Sequence, residues 1–206
     1  MLLRRTLLSL QVDGLGPTMR RAWTYLFGTE HKYVFVQYMK TPATQVALPV
    51  EANGIVVRQM AERDLKDVRV RRHEPDDVDH LALGVVATRQ EEIVGAAWYT
   101  DSVSPAQPWY PIVQPHLRHP AWFDANIFVI PGEKAAGWAI SKNATDAVAL
   151  AGVRSTVALV GVDNKPSIFL LRLLGARLVG RLSIRHRLGY STTVVAPVTQ
   201  DKDSAL

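Results

Sequence analysis

The spacing of apolar positions changes period along the chain. Leu2, Leu3, Leu7, Leu8 and Leu10 recur at helical spacing, and Met19, Trp23, Leu26 and Phe27 do so again after the Gly14-Leu15-Gly16-Pro17 break. This predicts two short amphipathic helices. His31 to Lys40 is dense in β-formers and predicts a strand, and the prolines and small residues from Thr41 to Asn53 predict a connector. A strand over Ile55 to Arg58, a helix over Ala61 to Val70 and a charged loop over Arg69 to Asp79 follow. Leu81 to Thr88 and Ile93 to Tyr99, separated by Arg89-Gln90-Glu91-Glu92, predict an antiparallel hairpin. Asp101 to Pro120 holds five prolines and two histidines. It is the least regular stretch, and a loop of that length is often functional.

Beyond it the apolar runs become continuous. Ala125 to Ile130 suits a buried strand, followed by Pro131-Gly132-Glu133-Lys134 and a helix from about Ala135 to Ala151 that Gly152 closes. Ser155 to Val162 predicts another buried strand, Lys165 to Leu174 a helix ended by Gly175, and Arg177 to Leu188 with Thr192 to Val198 a final hairpin. A β-α-β-α-β run after a hairpin predicts an α/β fold, a mixed and mostly antiparallel sheet flanked by helices.

With 206 residues the chain has room for one full-sized core. We expect an N-terminal helical and strand extension over residues 1–53, a main domain over 54–198 and a flexible tail over 199–206. At 48% hydrophobic and 21% charged residues the composition is that of a globular protein. The net charge of +5 favours an anionic partner. The basic residues come as short pairs without interleaved aromatics, which argues against nucleic acid. The absence of cysteine excludes disulfides, thiolate metal sites and Cys nucleophiles. The apolar stretch in Met1 to Leu10 is too short for a signal core or a membrane span, so a cytoplasmic location is the default expectation.

The most informative segment is Val129-Ile130-Pro131-Gly132-Glu133-Lys134-Ala135-Ala136-Gly137-Trp138-Ala139. A strand delivers the chain to a loop, and the loop opens a helix whose first turn carries mostly small residues. Helix N-termini present unpaired N–H groups at a positive dipole end, so a pyrophosphate can approach, with Lys134 adding a charge. Taken alone, such a start is more often plain helix–sheet packing. A second signal follows the next strand: Asn164 as N-cap, Pro166 in the first turn, then Ser167 and Gly175.

Together these segments resemble the GNAT N-acetyltransferase superfamily. Its cofactor loop, Arg/Gln-x-x-Gly-x-Gly/Ala, is matched by Lys134-Ala135-Ala136-Gly137-Trp138-Ala139 with Lys in the first place, and its Asn-x-x-Ser…Leu-Gly-Phe element by Asn164, Ser167 and Leu174-Gly175-Ala176. The hairpin that includes Ile93 to Trp98 looks like the family's second and third strands. The resemblance spans about Gly54 to Tyr190.

The resemblance implies transfer of an acetyl group from acetyl-CoA to a small-molecule amine or amino sugar by direct attack on the thioester. It places pantetheine beside Ala125 to Ile130 and the diphosphate on the N–H groups of Lys134 to Ala139. A backbone N–H at Phe128 or Val129 would polarise the thioester carbonyl, and Asn164 and Ser167 would contact the cofactor or departing thiol. Asp124 is the candidate base, with His116 and His119 as weaker alternatives; for each, a solvated surface residue is the simpler reading. No histidine pair has metal-ligand spacing, so no metal is expected. The family's usual thiolate-protonating Tyr is replaced by Leu171, which leaves the acid step unassigned.

Two rival readings stay open. One is a non-catalytic acyl-CoA-binding module; the other is a longer-chain N-acyltransferase near a membrane, suggested by the leucine-rich start. A lid packed on the main core is the simpler reading of the two N-terminal helices, with peripheral membrane contact through residues 1–28 as the alternative; a homodimer is likewise open. Trp98, Tyr99, Trp109, Tyr110 and Trp122 are candidates for lining an acceptor pocket, although such aromatics are more often core.

Overall fold

The computed structural model describes residues 15–40, 48–74, 81–101, 103–188 and 190–198. The expected helix over Leu2 to Leu10 and the tail over 199–206 lie outside them. In chain order the elements are α1 (Leu15–Phe27), β1 (Thr29–Tyr38), β2 (Val50–Ala52), β3 (Ile55–Gln59), α2 (Val68–His73), β4 (Leu81–Arg89), β5 (Glu92–Thr100) and α3 (Tyr110–Val113). After these come β6 (Ala121–Val129), α4 (Lys134–Leu150), β7 (Ser155–Gly161), α5 (Lys165–Leu173), β8 (Arg177–Arg187) and β9 (Tyr190–Pro197). The chain forms two compact units.

The first unit comprises Tyr38–Ser102 and Arg118–Thr156. Its strands run in the order β2-β3-β4-β5-β6, antiparallel throughout. The β4–β5 hairpin turns through Gln90 and Glu91, both at positive φ. Helix α4 buries Ala136, Ala139, Ile140, Ala144 and Val148 against Ile55, Val57, Val85, Ala87, Val94, Ala97 and Tyr99. Gly95 makes this close approach possible, because a Cβ there would stand 2.6 Å from Ile140 Cδ1 and 2.9 Å from the Phe128 carbonyl oxygen. A second cluster joins Val70 of α2 to Val86, Ile93, Ala96 and Trp98, with Phe128 packed against it.

The helix expected over Ala61 to Val70 is broken in two. Glu62–Lys66 is a 3-10 turn, and α2 begins only at Val68. Asp64 is the cause at one end: its carboxylate accepts from Ala61 N–H at 2.7 Å and from both terminal nitrogens of Arg58 at 2.7 and 2.8 Å. Those Arg58 hydrogen bonds also hold the Asp64 carboxyl below the usual range. Asp67 is extended and accepts from Arg69 N–H at 2.8 Å, which caps a new helix.

The second unit comprises Leu2–Gln37, Val103–Leu117 and Val157–Leu206. Its strands run β7-β1-β8-β9, and β8 is antiparallel to both of its neighbours. Helix α1 is tied to β8, since Leu26 and Gly28 carbonyls accept from Leu188 and His186 N–H. A core of Phe35, Ala158, Val160, Ile168 and Ala176 is backed by Tyr33, Leu171 and Leu178. Leu171, which stands where the resemblance implies a tyrosine, is thus a packing residue. The proline-rich stretch carries α3 and a 3-10 turn over Gln114–His116. Trp109 and Val113 are buried, and Ile112 occupies the space that Gly180 leaves by having no side chain.

Candidate functional site

Strand β6 and the start of α4, both in the first unit, carry most of the expected site. Tyr99 of β5 pairs with Asp124, whereas Trp98 pairs with Asn126, so the register slips by one residue at Ala125. Such a bulge bends its strand and re-aims the neighbouring side chains. Asn126 Nδ2 donates to the His73 carbonyl at 2.8 Å, fastening β6 to the end of α2. The His73 ring stacks on Phe128 at 4.7 Å, and Phe128 lies 6.1 Å from the Trp98 ring.

Asp124 keeps some accessible surface, yet the protein packed around its carboxyl raises its pKa to about 7. Burial is the whole cause. The Tyr99 hydroxyl is held well above its ordinary value, first by burial and then by the charge of Asp124, while its hydrogen bond to the Thr145 side chain of α4 acts in the opposite sense. A carboxyl that titrates near neutrality is suited to taking a proton from an ammonium group.

Beyond the bulge the ladder with β5 is regular. Ile130 N–H donates to the Val94 carbonyl at 2.9 Å, and Phe128 pairs with Ala96. In an antiparallel ladder successive residues turn their N–H groups to opposite sides. Phe128 N–H therefore points toward β5 and Val129 N–H points away from it. Of the two expected thioester donors, Val129 is the one whose N–H is not committed to that ladder.

The helix start is more occupied than its sequence implied. Lys134 N–H donates to the Gly132 carbonyl, and Ala136 and Gly137 N–H both donate to the Glu133 carbonyl. Ala135 N–H has no protein acceptor among the described residues, and the Ala135 side chain is exposed. Lys134 and Trp138 are exposed, whereas Ala136, Gly137 and Ala139 are buried against the sheet. Gly132 sits at φ +95°, open enough that nothing lies within 4 Å of where a Cβ would be. The Glu133 carboxylate would oppose a phosphate here, but Arg89 Nη2 binds it at 3.0 Å. Arg89 ends β4, 44 residues upstream, and sequence spacing gave no sign of the pair.

In the second unit Asn164 caps α5, its Oδ1 accepting from Ser167 N–H at 3.2 Å. This leaves the Asn164 amide nitrogen as the group able to donate to a ligand. Gly175 ends the helix at φ +82°. Three of the pocket-lining candidates, Trp98, Tyr99 and Trp109, are buried core residues. Among the described residues no group of three acidic, histidine or cysteine side chains could hold a metal ion, and no helix is long and apolar enough to cross a membrane.

No family model and no curated protein sequence matches the chain. Solved structures do. A putative acetyltransferase of the GNAT family from Novosphingobium aromaticivorans superposes with a TM-score of 0.53 at 12% identity, over 83% of this chain and 66% of its own. A Drosophila protein does so with a TM-score of 0.50 at 12% identity, over 81% of this chain and 54% of its own. The chain therefore spans between about half and two thirds of the length of these structures. Identity this low speaks to architecture alone, and on that ground, with a mostly antiparallel sheet flanked by helices, the chain has a GNAT-like fold.

Proposed function

We propose that the protein is an acyl-CoA-dependent N-acyltransferase that moves an acetyl group from acetyl-CoA to the amine of a small molecule. The observation that carries this reading is the composition of one strand and its exit. β6 presents the half-buried carboxyl of Asp124 beside a bulge and then opens through Pro131-Gly132 onto the start of α4. The likeness to a putative acetyltransferase supports it.

Coenzyme A fits these residues. The open loop at Gly132, the unpaired N–H of Ala135 and the exposed Lys134 side chain suit a diphosphate, and Arg89 masks the one nearby carboxylate. The coenzyme brings the activated thioester. Val129 N–H is our candidate donor to its carbonyl oxygen, where negative charge develops as the amine attacks. Asp124 would take the ammonium proton, and a pKa of about 7 leaves it ionised in a useful fraction of molecules at neutral pH. The thiolate would take its proton from solvent, since Leu171 is packed in apolar core.

The test is titration of the chain with acetyl-CoA, followed by thiol release across a panel of amines. Binding with amine-dependent thiol release is expected. Binding without turnover for any amine would favour the non-catalytic module, and absence of binding would end the reading altogether.

A further inference from the structure

The second unit carries an apolar and basic surface that the acyl-transfer reading does not use. Leu15, Met19, Trp23 and Phe27 lie four residues apart along α1 and form one stripe. They expose 69%, 62%, 67% and 47% of their surface, while the C-terminal end of the helix is tied to β8. The Trp23 and Phe27 rings touch, at 4.7 Å between centroids.

The β8–β9 hairpin extends this surface. Arg187 pairs with Tyr190, so two positions join the strands, the first of them Leu188. Two-residue hairpin loops favour Asn or Asp before Gly because the first position needs positive φ. Here that position is Leu188 at φ +45°, a strained conformation for a leucine. Its side chain gains no burial in return, being 71% exposed, and Tyr190 beside it is 82% exposed. The bond from Leu188 N–H to the Leu26 carbonyl brings the hairpin tip to the C-terminal end of α1.

Charge identifies the partner. The second unit holds 12 Lys and Arg against 5 Asp and Glu, a net +7, whereas the first holds 12 against 14, a net −2. No acidic residue occurs from Gly14 to Gly28 or from Asn164 to Gln200. Arg20 on α1 and Arg187 at the hairpin are exposed. A nucleic acid would match the charge but not an exposed stripe of Leu, Met, Trp and Phe. We infer that α1 and the Leu188–Tyr190 tip dock on an anionic lipid surface, the apolar stripe entering the headgroup boundary and the arginines meeting the phosphates. This inference does not depend on acyl transfer.

The experiment is co-sedimentation of the full chain with phosphatidylcholine vesicles, with and without phosphatidylserine, alongside light scattering to give its oligomeric state. Binding only to the phosphatidylserine vesicles, weakened by salt, is expected. Leu188→Asn places a preferred residue in the turn, so its melting temperature should hold or rise while vesicle affinity falls about fivefold. Trp23→Ser, at an exposed site, should lower affinity about tenfold with the fold retained. Three outcomes overturn the inference: no vesicle binding, binding that both variants leave intact, or a self-associated species that Trp23→Ser dissociates. The last would assign the stripe to a second copy of the chain.

Discussion

Tyr99 and Asp124 stand directly opposite each other across β5 and β6, one residue before the register slips at Ala125. The pair places a buried phenol beside a carboxyl that burial itself keeps partly protonated at neutral pH. This arrangement lets Asp124 exchange a proton without any other charged residue to set its affinity.

The pH dependence of rate should follow. If Asp124 is the base, kcat/KM for an amine whose own pKa lies far higher should show an inflection near 7, and Asp124→Asn should remove it while lowering the rate about a hundredfold. A variant that keeps the inflection would show that another group titrates there.

Stability should report the same group independently of turnover. The folded pKa of about 7 lies above the ordinary 3.8. The folded state therefore binds the proton more tightly than the unfolded state, and this contribution is full below about pH 4 and is lost as pH rises toward 7. Relative to wild type, Asp124→Asn should gain up to about 4 kcal/mol between pH 4 and pH 8, less to the extent that water reaches the carboxyl, read by urea titration at both values. Parallel curves for the two proteins would place Asp124 in water.

Arg89 and Glu133 should act as a unit on coenzyme affinity. Arg89→Ala would leave the Glu133 carboxylate unmasked at the loop and should weaken acetyl-CoA binding about tenfold. Adding Glu133→Gln should restore most of it. Additive losses in a double-mutant cycle would count against the masking role.

Ala135 is the position at which to probe the helix start. It is exposed and its N–H has no acceptor among the described residues, whereas Gly137 is buried and a larger residue there would disturb packing. Ala135→Glu should lower coenzyme affinity at least about tenfold with an unchanged melting temperature. Equal affinity would move the diphosphate elsewhere.

The cap at Asn164 separates structure from binding. Asn164→Ala should cost about 1 kcal/mol through loss of the bond to Ser167 N–H, and Asn164→Ser should recover that cost. If the amide nitrogen also contacts coenzyme, both variants should bind it more weakly. Normal binding by Asn164→Ser would confine the residue to capping.

Much of this architecture was legible because strands and helices bury one face each, so their apolar periods are visible in the sequence. The β4–β5 hairpin, α4 ended by Gly152 and α5 ended by Gly175 all lie within a few residues of their predicted positions. Where a polar side chain decides the backbone, periodicity fails: Asp64 and Asp67 split one expected helix, and nothing in the apolar pattern marks the split. The short strand Val50–Ala52 escaped notice inside a proline-containing connector. Asp124 drew notice by its place beside the apolar run of β6, and the structure adds its burial. Its partner Tyr99, the Thr145 hydroxyl and the Arg89–Glu133 pair were not, because strand register and helix docking bring them together across long separations.

The seat that Gly180 provides for Ile112 has a bearing on how the chain is made. The proline-rich segment leaves the ribosome well before β8 does, so it must wait without its eventual packing partner. A protease added to a chain truncated ahead of Arg177 should cut between Val103 and Leu117, and the full-length chain should resist it there.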